Sequence, residues 1–309
     1  MTVRVYYSTD ASAPVLTGLN GSLISVIDGC LVNGYTGKAS LGWTKAFTGT
    51  NLAAYRAGTG QGNRRFLRVI DNLGQWARII GYENMTSVSA GTGLFPTSAQ
   101  FNGGLYVAKS SSADNTPRPW ILVATERLFY LMVWHSDEAL YGPNNCSGSF
   151  FGDFTSYKSG DTFNTLIVGG NDAGSPQVVG RLAESAGNPT GTSNGHFITR
   201  SHTQTGTSIF AGVISSGDRT NGGIGSPGFT LPFPNPVTGA FDLAPILVTQ
   251  PLAQVVRGLL PGIWNPLHSQ TTLQSGDTVD GTGDLAGKSF LLLKFSNNSM
   301  PVFEISNTW

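Results

Sequence analysis

The longest apolar stretches in this chain are short. They lie near 119–124, in PWILVA, and 128–134, in RLFYLMVW, with little more than Thr125-Glu126 between them. Runs of that length suit β-strands, and so short a gap predicts a hairpin. No run approaches the roughly 18 apolar residues of a membrane helix. Glycine supplies 41 of the 309 residues and charged residues only 12%, about half the usual charged share. Exposed helix faces draw heavily on Glu and Lys, so a helical bundle is disfavoured. Six Trp, nine Tyr and seventeen Phe stand among Gly, Ser, Thr and Asn, which suits a β-rich, loop-rich protein with packed aromatics and tight turns. With 39% apolar residues and no charge blocks, disorder is excluded.

Lys and Arg (18) balance Asp and Glu (18). A sequence-independent grip on nucleic acid, or on an anionic membrane, needs a basic excess that this chain lacks. A neutral, charge-poor surface also lacks the repulsion that keeps monomers apart, which points toward an assembly component. Cys30 and Cys146 are too few for a disulfide scaffold or a four-cysteine zinc site. They read as two buried or idle thiols, with a single Cys30–Cys146 bridge as the alternative. The opening MTVRVYYSTDASAPV has no apolar stretch of signal-peptide length, so the expected place of synthesis and residence is a cytoplasm.

Leu23, Ile24, Val26, Ile27, Cys30 and Leu31 recur at helical spacing, with Ser22 as N-cap and Asn33-Gly34 as the stop. The spacing predicts one helix over 22–33, although Gly29 weakens it. Residues 34–63 are dense in glycine and read as turns. RRFLRVI (64–70) and QWARIIGYE (75–83) flank Asn72-Leu73-Gly74 as a hairpin. Strands are expected at 104–109, 119–124, 127–134, 164–170, HFITR, TSIFAGVI, ILVT (246–249), KSFLLLKFS (288–296) and PVFEIS (301–306). Residues 171–195 and 215–245, rich in Gly, Ser, Asn and Pro, read as long loops. The fold class expected is α+β: mainly antiparallel β, a short N-terminal helix and long Gly/Pro/Ser-rich loops. It forms one unit over 1–309, with a sub-boundary near 171–195 as the alternative.

Several patterns bear on chemistry. GTSNG (191–195) matches a nucleophile elbow around Ser193, but a loop precedes it and a strand follows, where the motif needs strand then helix. Gly58-Thr59-Gly60-Gln61-Gly62 resembles a phosphate cradle, yet no helix follows to aim its N–H groups, so a turn is the better reading. His196 and His202 would share a face on one continuous strand, as metal ligands might, but no Cys or carboxylate stands at ligand spacing and His135 and His268 are remote. Asp277, Asp280 and Asp284 lack the alternation of a calcium loop. Asp137-Glu138, Glu126, Asp153 and Asp161 are candidate carboxylates for glycoside chemistry, with nothing to fix their separation. Arg64, Arg65 and Arg68 form a small basic cluster, with Arg64 and Arg68 facing the same way beside Phe66. In a neutral chain it reads as an interface salt-bridge site rather than a nucleic-acid groove. No catalytic, cofactor or metal residue is assigned, and no cofactor is expected.

Further blocks carry a resemblance: VYYSTDASAPVLTG (5–18), LVNGY (31–35), GWTKAFTGTN (42–51), AAYR (53–56), FGDFTSYK (151–158), RGLLPGIWNPLH (257–268) and GDTVDG (276–281). Together they resemble a group of virion structural proteins of tailed bacteriophages and prophages, over most of the chain from residue 5 to the closing SNTW. The resemblance implies a non-catalytic subunit located in the virion. Its partners would be other virion proteins and copies of itself, without nucleic acid or membrane. The tail or head–tail junction is the expected site, with capsid decoration the alternative. A receptor- or glycan-binding tail component, using aromatics on the 136–150 or 216–240 loops, is the second reading, and a cell-surface polymer hydrolase the third. Interface candidates are Trp43, Phe47, Arg64, Arg68, Trp264 and Trp309. Trp43 and Trp264 are placed in loops shaped by Gly or Pro, where packing within the chain is an equal alternative.

Overall fold

The computed structural model describes residues 1–58, 60, 62–136, 139–142, 146–170, 195–214, 233–267, 273–293, 301–306 and 308–309. Its elements run β1 (Arg4–Tyr7), helix α1 (Ser22–Ile27), β2 (Thr44–Gly49), β3 (Leu52–Arg56), β4 (Phe66–Leu73), β5 (Trp76–Tyr82), β6 (Asn84–Ser87), β7 (Ala90–Thr92), β8 (Leu105–Ala108), β9 (Trp120–Ala124) and β10 (Leu128–Trp134). They continue with β11 (Cys146–Asp153), β12 (Thr155–Ser156), β13 (Thr165–Gly169), β14 (His196–Arg200), β15 (Ser208–Ile214), β16 (Leu243–Gln250), β17 (Val255–Pro266), β18 (Thr278–Asp280), β19 (Ser289–Leu292) and β20 (Val302–Glu304). The protein is mostly antiparallel β with one short helical segment. A large sheet is ordered β1-β9-β10-β11-β13-β14-β15-β16-β17-β20-β19-β18, with β12 pairing to β17. A second sheet is ordered β2-β3-β4-β5-β8, and β6 pairs β7.

Side-chain alternation turns these sheets into layers. On β9–β14 one set of residues (Leu122, Ala124, Phe129, Leu131, Val133, Phe151, Ile167, Ile198) packs against α1 and the inner face of the five-stranded sheet, through Tyr55, Leu67, Val69, Ile79 and Val107. The alternate set (Ile121, Val123, Tyr130, Met132, Trp134, Phe150, Leu166, Val168, Phe197) packs against residues of β15, β16, β17, β19 and β20. The large sheet therefore curls round its own second core, and an isolated bridge between Thr2 and Thr308 joins the segments beside β1 and β20. A strand buried on both faces cannot alternate apolar with polar, which is why PWILVA and RLFYLMVW read as continuous apolar runs. Each apolar face removed from water contributes about 25 cal/mol per Å², so this middle layer is the thermodynamic centre of the fold.

The helix begins at Ser22 as expected, but its cap comes from elsewhere. Gly21 occupies the N-cap position in a left-handed conformation, and no local side chain caps it. Asp71 of β4 instead accepts hydrogen bonds from the Leu23 and Ile24 N–H groups, at 2.8 and 3.2 Å. After Ile27 the backbone widens into a π-type turn over Asp28–Asn33, and it stops at Gly34, whose φ is 74°. Gly29 is required because a Cβ there would strike the Pro14 ring.

The two expected hairpins form. β9 and β10 pair across Thr125–Arg127. β4 and β5 turn at Gly74-Gln75, slightly later than Asn72-Leu73-Gly74, because an irregularity between Ile70 and Leu73 lengthens the arm. Three expectations need correction. Residues 43–51 are not a loop: β2 and β3 make a hairpin within the glycine-dense stretch. Residues 261–266 of the expected Gly/Pro-shaped loop at 261–268 are strand instead, since β17 runs through them to Pro266. Its pairing with β16 carries register shifts that let Pro245, Pro261 and Pro266 sit in a bent ladder. Residues 146–150 of the expected 136–150 loop are not exposed loop but the start of β11, CSGSFFGD, buried along most of its length despite a Ser- and Gly-rich start. Strands β13 and β14, on either side of residues 171–195, pair directly in one sheet. The loop expectations for 171–194 and 215–232 lie outside the described residues.

Candidate functional site

Ionisable side chains in the core are used in pairs, and each pair ties separate elements together. Asp71 and Lys109 are fully buried, with Lys109 Nζ 2.5 Å from Asp71 Oδ1. Lys109 also donates to the Leu19 carbonyl and the Ser22 hydroxyl. Burial lowers the Lys109 pKa, and Asp71 opposes that shift. Asp28 accepts from Lys45 Nζ at 2.7 Å and from Tyr55 OH at 2.8 Å, fastening the π-type turn to β2 and β3.

A second network closes the end of β14, β16 and β17. Arg257 pairs with Asp161 at 2.5 Å, both almost wholly buried. Arg257 donates to the Arg200 carbonyl, and Arg200 pairs with Glu83 at 2.8 Å. The guanidinium of Arg257 lies over Phe154, and that of Arg200 over Phe95. Burial alone would raise the Asp161 pKa, but Arg257, Ser156 and the Phe163 N–H outweigh it and hold the carboxyl below its ordinary value. The Gln250 amide sits between the His202 ring and Arg257. With its nitrogen toward His202 Nδ1, its oxygen accepts from Arg257.

The pieces singled out in the sequence are dispersed. The Gly-rich loop does present an N–H to an anion, but the anion is internal: Asn63 N–H donates to Asp153 at 2.6 Å. Thr165 Oγ1 donates to the same carboxylate, and burial raises the Asp153 pKa against these bonds. Glu126 accepts from the Thr2 backbone N–H at 3.1 and 3.2 Å. His196 and His202 do not share a face, because β14 ends at Arg200. His196 is wedged beside Phe101 and Phe210, while His202 lies in the following turn at Gln250. His135 is 1% exposed, and neither ring nitrogen of His135 or His196 has a hydrogen-bond partner among the described residues. Burial, with Arg118 nearby, lowers the His135 pKa to about 4. Among the described residues no group of three His, Cys, Asp or Glu could hold a metal ion. Asp277 precedes β18, Asp280 ends it and Asp284 lies in the turn after it, with Asp280 and Asp284 exposed. Ser193, His268 and Asp137-Glu138 fall outside the described residues, as does most of the 216–240 loop. Cys30 and Cys146 are buried in cores on opposite faces of the middle layer, so the alternative Cys30–Cys146 bridge is not made.

Of the interface candidates, Trp43 is 3% exposed. Its indole donates to the Thr125 carbonyl at 3.0 Å and meets Phe129 and Phe151 edge-on, so it is spent inside the chain. Trp309 packs on Tyr130 and over Gly262, and its indole donates to the Glu304 carbonyl at 2.9 Å. Trp264 is half-buried in a satellite cluster with Phe241, Phe290 and Val302. Phe47 and Arg68 lie on the outer face of the five-stranded sheet. Arg64 does not project from β4: it stands before the strand with φ 52°, and its carbonyl accepts from Arg56 Nε at 2.8 Å.

The register of that outer face is informative. Phe47, Ala54, Arg68 and Ile80 form one row across β2-β3-β4-β5, and Arg56, Phe66 and Tyr82 form the next. Leu52, Ile70, Arg78 and Tyr106 form a third. Phe47 stacks on Phe66 with centroids 6.1 Å apart, and Arg56 covers Phe66 at 4.8 Å. Burial lowers the Arg56 pKa, and Arg64 and Arg65 add to that shift by repulsion. The sequence cluster of Arg64, Arg65 and Arg68 missed Arg56 and Arg78, which only strand pairing brings alongside. No protein-family model matches this chain, and no curated protein matches it.

Proposed function

We propose that this chain is a non-catalytic structural component of a tailed-bacteriophage particle, made in the host cytoplasm and assembled by protein–protein contacts. Its place is the tail or head–tail junction region, or the capsid surface as a decoration protein. The observation that supports this best is the use of charge. Asp71–Lys109, Asp28–Lys45, Asp161–Arg257 and Glu83–Arg200 each join separate elements of the fold, in the manner of a unit built to hold its shape. Two cores flank one middle layer, a construction suited to a subunit loaded from both sides. The sequence blocks that resemble virion structural proteins run through the same fold, from β1 to β18.

The test is a density map of the purified particle together with quantitative mass spectrometry of its proteins. The expected result is ordered density for this chain at a fixed number of copies per particle. Particles that lack the chain while retaining their full structure would overturn the reading.

A further inference from the structure

We infer that copies of this chain associate head to tail, the arginine-bearing outer face of the five-stranded sheet in one copy docking on the acidic β18 edge of the next. The inference rests on the assembly reading above and names the partner of that surface.

Charge is balanced over the whole chain but not within it. Residues 44–82 hold six basic residues against one acidic, a net of +5, and the acidic one, Asp71, is buried toward the opposite side of the sheet. Residues 273–287 hold Asp277, Asp280 and Asp284 and no basic residue. Arg56, Arg68 and Arg78 are diagonal neighbours on consecutive strands of the outer face, a spacing of about 7–8 Å between backbones. Arg64 adjoins Arg56. None of these four has a carboxylate partner among the described residues, whereas Lys38, Lys45, Lys109, Arg200, Arg257 and Lys288 all do. Nε of Arg68 and of Arg78 is buried without a hydrogen bond. Arg56 is laid over Phe66, Arg68 stands in the row of Phe47 and Ile80, and the Arg78 guanidinium lies beside Gly103, so the three are partly settled on the face before any partner arrives. Guanidinium groups on an aromatic bed, with lysine absent from the face itself, are the composition of a protein–protein hot spot. β6 lies along this face too, with Met85 in the same outer cluster.

The acidic element matches it. Among the described residues β18 is an edge strand of the large sheet, paired to β19 alone. Asp277 and Asp280 are oriented by the Gln274 N–H and the Ser289 hydroxyl, and none of the three carboxylates has a cation among the described residues. The two patches belong to opposite outer layers, since the middle layer separates the five-stranded sheet from β15–β20. They meet only between molecules. Two different patches make a heterologous contact, which either closes into a ring or propagates as a filament.

The experiment is sedimentation velocity on the full chain over a concentration series, at about 0.05 and about 0.5 M salt. Wild type is compared with Arg68→Glu, Asp284→Lys and their mixture, and thermal melts establish that each variant folds. The expected result is self-association at low salt that each single reversal weakens about tenfold or more. Mixing the two variants restores it, because the reversed face of one then meets the reversed edge of the other. Asp284→Lys lies on an exposed turn and carries the test alone if Arg68→Glu does not fold. A monomer under all conditions, or association indifferent to both reversals, overturns the inference. A particle containing the chain alongside such a monomer removes only the head-to-tail contact. Charge-dependent association of a chain absent from particles removes only the virion reading.

Discussion

Asp71 does two jobs at one point in the core, and separating them gives a quantitative test. One oxygen neutralises Lys109, and the other takes the place of the missing N-cap for α1. Asp71→Ala removes both. Breaking a fully buried ion pair by deleting one partner costs about 3–5 kcal/mol, and losing a cap adds about 1 kcal/mol. The expected loss is therefore about 4–6 kcal/mol, a large part of the 5–15 kcal/mol that typically holds a domain together. Lys109→Met is expected to cost less, about 2–3 kcal/mol, because Asp71 keeps two backbone N–H donors and the favourable end of the helix dipole. In the reverse case Lys109 keeps only the neutral Leu19 carbonyl and Ser22 hydroxyl. The double variant Asp71→Asn/Lys109→Met retains a capping acceptor without any buried charge, and should recover most of the loss. Equilibrium urea unfolding followed by tryptophan fluorescence reads all four proteins. An Asp71→Ala loss below about 1 kcal/mol, or a Lys109→Met loss larger than the Asp71→Ala loss, refutes the reasoning.

Other expectations follow from the same geometry. His135 has a folded pKa of about 4 against an ordinary 6.5, so the unfolded chain binds the extra proton first. Stability is full above the unfolded value and falls as pH drops from about 6.5 to about 4, by about 3 kcal/mol. His135→Phe should flatten that part of a stability–pH curve, and an unchanged slope would count against it. Gly262→Ala adds a Cβ where the Trp309 indole lies, at a φ of 69°. The expected result is loss of about 2–4 kcal/mol, with a red shift of tryptophan emission on displacement of Trp309 from Tyr130. Cys30 is wholly buried, with its thiol pKa pushed up by burial, and Cys146 is buried too. A thiol reagent should label neither until the chain is denatured, and fast labelling of the native protein would contradict the layering.

What could be read in advance follows from how locally each element is specified. β9 and β10 were legible because both faces are buried, so their residues are apolar without interruption. The helix was legible from its apolar stripe, but its cap was not, because Asp71 is 48 residues away from Leu23 and only tertiary contact supplies it. β11 and β17 were hidden by small residues and prolines. Gly258 faces the Thr155 carbonyl, and Gly262 faces Trp309, so these glycines mark close approach within a strand, and Gly262 is the one that sequence reading places in a loop. The sequence leaves Trp43 open between an anchor for a partner and packing within the chain, and Thr125, Phe129 and Phe151 of the same chain decide for the second.

The arginines show how placement differs from composition as a source of function. Zero net charge argues against long-range attraction to a polyanion, but it says nothing of local segregation. Pairing β3 with β4 and β4 with β5 gathers Arg56, Arg68 and Arg78 onto one face, while the only carboxylate within 44–82 turns inward to cap the helix and hold Lys109. That inward turn has two consequences: it secures the core and removes the one acidic group that could have neutralised the face from within. A chain that stabilises itself in this way leaves its outer guanidinium groups to be satisfied by something else. Under the head-to-tail proposal, a neutral copy offering Asp277, Asp280 and Asp284 at and around β18 would supply them without burdening the assembly with net charge.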